Sequence, residues 1–303
     1  MTSSLISTSN AQESATASLV TMRRGYKTPR RRQRREHSIV AYVVLALGSL
    51  VILGPFLITL LTTFRTNEDY ISSLSVLPTT WTLQNYADVF TEMPMLRMLF
   101  NGLFIAVLAT AGNLLGSLLA AFAIAKLRFP GRGALFAIIV FTLLIPGTIT
   151  MIPLYTMMRA IGLVDTPWAL ILPMWTGTAF AVFFLRQFVL GVPNELYEAA
   201  VLDGCSVPRV LFTIYLPLLR GPLAVLAILG FLGSWNDLLG PLIYLNSPEQ
   251  MTAAVGLTYF QGQYVTNFPA LLAGGFIILV PTTVMFLIFN RQIRDGMLIS
   301  GMK

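Results

Sequence analysis

Charge is scarce in this chain. Of its 303 residues only 11% are Asp, Glu, Lys or Arg, against about 25% in an ordinary soluble domain. Cysteine and histidine are scarcer still, with one of each, Cys205 and His37. A lone cysteine excludes an internal disulfide, and Cys205 reads as a small, half-buried side chain. His37 sits where a basic tail meets an apolar run and has no companion for a metal site, so it reads as an interfacial filler. Lysine occurs three times, as Lys27, Lys126 and Lys303, and none follows a glycine. A phosphate-binding P-loop needs Gly-Lys-Ser/Thr, because the lysine must reach the phosphates. The chain therefore carries no such nucleotide site. No Cys/His metal spacing, nucleophile–base pair or enclosed carboxylate dyad is legible, so nothing in the sequence supports catalysis or a cofactor held by this chain.

What is abundant is apolar sequence. Hydrophobic residues make up 55% of the chain, and the mean hydropathy is +0.74. A helix needs about 20 apolar residues to cross a hydrocarbon core. Six runs meet that need: about Ser38–Phe64, Met98–Ala125, Gly133–Met158, Thr166–Leu185, Pro222–Leu245 and Ala270–Asn290. The expected class is an all-α integral membrane protein with six transmembrane helices.

The basic residues set the expected orientation. Eight of the twenty lie between Arg23 and Arg35, just before the first run. With the N-terminus inside, 17 basic residues face the cytoplasm and only Arg65, Arg97 and Arg159 face outward. Both termini are then cytoplasmic. The net charge of +7 reads as membrane topology and attraction to anionic lipid, not as a nucleic-acid surface. Residues 1–37 read as a disordered basic tail ahead of an uncleaved signal anchor, because the first run exceeds the about 7–15 residues of a signal-peptide core. Residues 38–290 form the membrane domain, and 291–303 a cytoplasmic C-terminal tail. The connection from Arg65 to Arg97 is the longest outward one. Its Trp81 and Tyr86 suit a membrane interface, and its acids Glu68, Asp69, Asp88 and Glu92 read as a solvated face. Gly112 and Gly116 form a GxxxG spacing, a weak signal for close helix approach.

One stretch is too polar to span and too patterned for slack linker: "ELYEAAVLDGCSVPRVLFTIYLPLL", Glu195–Leu219. It lies in a loop of about 186–221, between the fourth and fifth runs. Pro193 suits a first helical turn, and Glu195 and Glu198 favour the positive end of a helix dipole. Gly204 can adopt the left-handed conformation that ends a helix. Ser206 can cap a second helix, with Pro208 in its first turn. Leu216-Pro217 marks a break. The result is a helix–turn–helix elbow at the membrane surface, with small Ala199 and Ala200 on a face that could enter a groove. Its plain alternative is an amphipathic loop lying on lipid.

These residues carry a resemblance. Glu198-Ala199-Ala200, three residues, Gly204, nine residues, Ile214, one residue and Leu216-Pro217 resemble the EAA signature of ABC importer permeases. "IPLYTMMRAIGLVDTPWALILP" (Ile152–Pro173), "FLRQF" (Phe184–Phe188) and "SWNDLLGPLIYL" (Ser234–Leu245) resemble the carbohydrate-uptake branch, over about residues 38–295. The chain is most similar to the shorter second permease of maltose-type systems. The resemblance implies the type I importer permease fold, a bacterial-type cytoplasmic membrane location and a multi-pass subunit that is not itself an enzyme. It implies three kinds of partner besides the bilayer: a second permease, an ATPase dimer that binds ATP and Mg, and an extracytoplasmic solute-binding protein. It also assigns ATPase coupling to Glu198, Ala199, Ala200, Asp203, Gly204, Ile214, Leu216 and Pro217. The final stretch Phe289–Lys303 resembles the family's tail in placement and in Gly296 and Gly301, but departs from its small-residue ending.

Asp237 is the ionisable residue placed inside a run, beside Trp235 and Asn236. Such groups usually face a bundle interior or water. Two readings fit. Trp235, Asn236 and Asp237, with Asn113, could line a sugar path; or Asn236 and Asp237 tie helices together while Trp235 packs, the commoner use of such residues. Thr148 and Thr150 are weaker path candidates. A polyol or glycerol phosphate ester is an alternative cargo. A gradient-driven carrier would need a chain of intramembrane ion ligands, which one aspartate supplies poorly. A membrane scaffold without transport would use the elbow only as a docking site.

Overall fold

The computed structural model describes residues 33–73, 75–263 and 267–300; side chains are described for 41–73, 75–258 and 267–288. The expected N-terminal tail falls largely outside the described residues, as do the last three residues. The described chain is helical, with a single isolated bridge between Arg65 and Trp81 as its β pairing. It divides into two units, Met1–Ile58 and Thr59–Lys303. The first contains most of α1 (Gln33–Thr62), whose segment Ala41–Thr62 has a mean hydropathy of 2.5.

The second unit is organised around α4 (Met95–Lys126), a helix of 32 residues. It packs against α7 (Trp168–Met174), α8 (Ala179–Gly191) and α11 (Arg220–Trp235). The long α14 (Phe268–Ser300) packs on α11, on α3 (Gln84–Glu92) and on α13 (Ala253–Gln263). It runs without interruption past the expected span end at Asn290. Among the described residues, four helical segments are long and apolar enough to cross a bilayer: Ala41–Thr62, Met95–Lys126, Trp168–Gly191 and Phe268–Ile288.

Two other apolar stretches are bent pairs. The run expected as one span from Gly133 divides into α5 (Arg132–Thr142) and α6 (Gly147–Ala160), which meet at 105°. Pro146 explains the break. Its ring disfavours helical geometry at Ile145 and its nitrogen cannot donate, and Pro146 itself is extended with ψ 131°. The second pair, Val207–Leu218 with Arg220–Trp235, meets at 81°. The fourth run extends beyond Leu185 to Gly191 and is itself divided at Trp175–Thr178, where Gly177 has φ +81°. The fifth is divided after Trp235, and α12 (Leu239–Tyr244) resumes beyond the break.

The connection from Arg65 to Arg97 is tightly organised. It contains α2 (Asn67–Ser72), whose N-cap Thr66 accepts from the Asp69 N–H. Arg65 is 4% exposed and Asp69 6%. The Arg65 Nε donates to Asp69 Oδ2 at 3.0 Å, and its terminal nitrogens donate to the carbonyls of Asp69, Ser73 and Ser75. Thr79 donates to the same carboxylate through its N–H and its hydroxyl. Asn85 donates to the carbonyls of Thr63 and Arg65. A buried charge is tolerable only when paired and hydrogen-bonded, and this one is both. The expected solvated acid face is therefore wrong at Asp69, which is buried under its own loop.

The Arg65 hydrogen bond, followed by those from Thr79, lowers the Asp69 pKa from its ordinary 3.8 to about 2. A carboxyl lowered on folding contributes stability above its unfolded pKa, and loses that contribution as pH falls through the folded value. The thermal stability of the purified chain should therefore exceed that of Asp69→Asn at pH 7. The gap should persist down to about pH 4 and close between about pH 4 and 2. Paired melting curves across that range check it.

Candidate functional site

The elbow forms between α9 (Asn194–Leu202) and α10 (Val207–Leu218). Pro193 is extended, with ψ 137°, and caps α9 from outside its first turn. The end of α9 is a Schellman closure. Gly204 donates to the Val201 carbonyl and Cys205 to the Ala200 carbonyl, both at 3.0 Å, with Gly204 at φ +78°. No atom lies near where a Gly204 Cβ would stand, so it is the left-handed backbone, not space, that calls for glycine here. Asp203 is the cap residue before the turn. Ser206 is extended at the start of α10 but makes no side-chain cap bond, contrary to expectation, while Pro208 sits in the first turn as expected.

The break expected at Leu216-Pro217 falls elsewhere. Pro217 lies within α10, and Leu211–Tyr215 forms a π turn before it, closed by the Leu216 N–H on the Leu211 carbonyl. A proline cannot donate, and its ring crowds the carbonyl four residues back. Widening the preceding turn accommodates both. The chain then bends at Leu219, with φ −93° and ψ 9°.

The two sides of α9 differ. Glu195, Glu198, Ala199 and Leu202 recur at helical spacing on one stripe and are all exposed, Leu202 to 88%. Val201 and Asp203 extend this exposed surface. Ala200 points the other way. It is buried against Leu185 and Val189 of α8, Tyr215 and Leu211 of α10, Phe122 of α4 and Leu226 of α11. Ile214, Leu216 and Cys205 pack on the same cluster. Phe122 meets Tyr215 edge-on at 5.0 Å and Tyr197 at 6.1 Å. Ala199 and Ala200 therefore do not form one outward face: the first is open, and the second is part of the chain's own core.

Sequence reasoning missed Lys126, counted above only as one more basic residue at a span end. It closes α4 beneath the elbow, 9% exposed. Its Nζ donates to the Val192 carbonyl at 2.9 Å and to Asn194 Oδ1 at 2.7 Å, and lies 5.6 Å from the Tyr215 ring centre. Its isolation from other charges on the apolar α4 was the available signal.

A second feature is a cavity of about 300 Å³ bounded by α4, α7, α8, α11 and α12. Asn113 and Asp237 both line it, together with Thr110, Phe180, Ser234 and Gly230. Asn113 is 8% exposed, and its Oδ1 accepts from the Thr178 N–H at 2.7 Å and from the Ser117 hydroxyl. It thereby holds the start of α8. Asp237 Oδ1 accepts from the Gly240 N–H at the start of α12. Trp235 and Asn236 do not join them. Trp235 is 5% exposed, stacks on Phe231 and donates to the Ile278 carbonyl of α14. Asn236 is exposed and donates to Leu232 of its own helix. The expectation that Asn236 and Asp237 tie helices together also fails, because both bond locally. Thr148 and Thr150 lie on the exposed start of α6, away from the cavity lining.

Gly112 and Gly116 prove informative. A Cβ on Gly116 would collide with the Trp175 carbonyl and the Gly177 nitrogen, and one on Gly112 with the Trp175 indole. The pair admits the broken segment between α7 and α8, so the spacing serves a crossing strand of backbone instead of a second continuous helix.

A scan of family models matches residues 112–295 to the binding-protein-dependent transport system inner membrane component. The chain belongs to that family. Its members are permease subunits of ABC transporters and are not enzymes. This permease is 37% identical over 253 residues to an arabinooligosaccharides transport system permease protein of Halalkalibacterium halodurans, covering 82% of this chain and 90% of the relative. It is 31% identical over 266 residues to a lactose transport system permease protein of Rhizobium radiobacter, covering 88% and 97%. A chain from the crystal structure of a bacterial ABC transporter involved in the import of alginate superimposes with a TM-score of 0.73 at 24% identity, covering 87% of the permease and 99% of that chain. The fold is thus the ABC importer permease fold.

The two glycines of α4 should differ in tolerance. Gly116→Ala forces backbone apart and should cost the permease about 1–3 kcal/mol. Gly112→Ala meets an indole that is 45% exposed and can turn aside, so it should cost less. Thermal unfolding of both variants in detergent checks the order.

Proposed function

We propose that this permease forms the translocation path of an ATP-driven importer of oligosaccharides, together with a second permease subunit. It spans a bacterial-type cytoplasmic membrane six times, α5 with α6 counting as one passage and α11 with α12 as another, with both termini in the cytoplasm. The positive-inside distribution of its basic residues supports that orientation. A solute-binding protein delivers the cargo on the opposite side. ATP and Mg are held by a separate ATPase dimer. Sugar cargo is supported by the similarity to the arabinooligosaccharide and lactose permeases.

The observation that carries this reading is the elbow's two-sided construction. Its outward stripe of Glu195, Glu198, Ala199 and Leu202 offers acidic groups around an exposed leucine, suited to a basic-rimmed cleft on the ATPase. Its inward side is packed on α4, α8 and α11. Closure of the ATPase dimer around ATP moves the elbow, and the helices packed on it follow. ATP and loaded binding protein bias the equilibrium between inward- and outward-open states through their different affinities for the two. Glu198 meets a basic ATPase residue, Ala199 permits close approach, Asp203 and Gly204 shape the turn, Ala200, Ile214 and Leu216 hold the elbow to the bundle, and Pro217 sets the widened turn ahead of the bend. A gradient-driven carrier is disfavoured, because Asp237 already serves the start of α12.

Glu198→Ala should weaken ATPase association by about 2 kcal/mol or more, roughly thirtyfold, and lower uptake in parallel. Leu202→Asp should do the same, whereas Glu92→Ala, far along the chain, should not. Co-purification of the ATPase and uptake of labelled arabinooligosaccharide in membrane vesicles check this. Uptake that persists with no ATPase bound would overturn the reading.

A further inference from the structure

We infer that Lys126 is a positioning residue that fastens α4 to the elbow, so that α4 moves with it as one body. This rests on the coupling reading given above. The elbow is joined by the chain itself to α8 and α11, but α4 is remote in sequence: Lys126 reaches acceptors 66 and 68 residues away. Those acceptors, the Val192 carbonyl and Asn194 Oδ1, stand at the entry to α9. Tyr215, fully buried in α10, presents its ring to the same ammonium. One cation therefore holds the incoming end of the first elbow helix and the middle of the second.

The apolar packing around it seats the helices against one another, but the hydrophobic contribution to it is non-directional. Charge-assisted hydrogen bonds are short and directional, and in a poorly solvated site breaking them leaves an unpaired ammonium. Lys126 thus adds a directional tie between α4 and the elbow to the apolar packing. The consequence reaches the cavity, since α4 also carries Thr110 and Asn113 of its lining, and Asn113 holds the start of α8. Elbow displacement is passed to the cavity wall through a helix with no covalent link to the elbow.

The test uses the assembled complex with its ATPase in lipid nanodiscs. Spin labels replace Leu115 of α4 and Phe212 of α10, both exposed, after Cys205→Ser removes the native thiol. Electron–electron double resonance then reads their separation without nucleotide and after trapping with ATP and vanadate. With Lys126 present, one narrow distance should hold in both states. In Lys126→Met the distance should broaden and shift on trapping, and Lys126→Arg, which keeps the charge and its donors, should restore it. Asn194→Ala removes the side-chain acceptor while leaving Lys126 and the Val192 carbonyl in place. It should shift the distance as Lys126→Met does, and it keeps the test decisive if that variant fails to fold. An unchanged narrow distance in Asn194→Ala and Lys126→Met, or a wild-type distance that shifts on trapping, would overturn the inference. Co-purification separates the two ideas: a wild-type chain that captures no ATPase would overturn the coupling reading itself, and this inference with it.

Discussion

The structure depends on one apolar cluster at the end of α4. Phe122, Leu185, Val189, Ala200, Tyr215, Leu219 and Leu226 come from five helices and are buried together. In a bilayer, helices gain little from hydrophobic burial against one another, because lipid tails are as apolar as leucine. Close packing and polar contacts must supply specificity. Here the cluster packs around the edge-on rings of Phe122 and Tyr215. The elbow is consequently a seated element with a fixed inner side and an open outer stripe. A free loop with the same sequence would have neither.

Polar groups recur at four of the helix breaks. Asn113 satisfies the Thr178 N–H at the start of α8, Asp237 the Gly240 N–H at the start of α12, and Lys126 the carbonyl ahead of α9. Asp165 belongs to the same pattern. It is a non-glycine residue at φ +65°, and its carboxylate accepts from the backbone of Asn246 and Ser247 and from the Ser247 hydroxyl. These hydrogen bonds lower its pKa, that from the Ser247 side chain foremost. Where water is excluded, an unpaired backbone group at a helix end is costly. A side-chain acceptor or donor at an interruption relieves that cost, as at these four. Residues that look like path candidates in the sequence prove to have this second use.

That second use explains which site residues were legible. Asn113 and Asp237 were singled out as polar residues in apolar runs, and both do line the cavity. Trp235 and Asn236 join Asp237 in the sequence reading by adjacency and because an indole and an amide suit a sugar. On a helix, neighbours one and two apart face different directions, so adjacency was the wrong criterion, and Trp235 points to α14 instead. Ala199 and Ala200 were misjudged as one face for the same reason. Lys126 was overlooked because a basic residue at a span end has an ordinary topological explanation, and its partners lie more than sixty residues away.

The sequence by itself determined the helical membrane class, the positions of the apolar helices, the location of the elbow and its glycine-closed turn. Each follows from local physics: apolar run length, the missing proline donor, and the backbone freedom of glycine act within a few residues. Only the tertiary structure decided which side of the elbow is open, that Asp69 is buried with Arg65, that Gly112 and Gly116 receive the break between α7 and α8, and that Lys126 reaches α9. Those outcomes depend on which surfaces meet, and close packing is set by the shapes of segments remote in the chain.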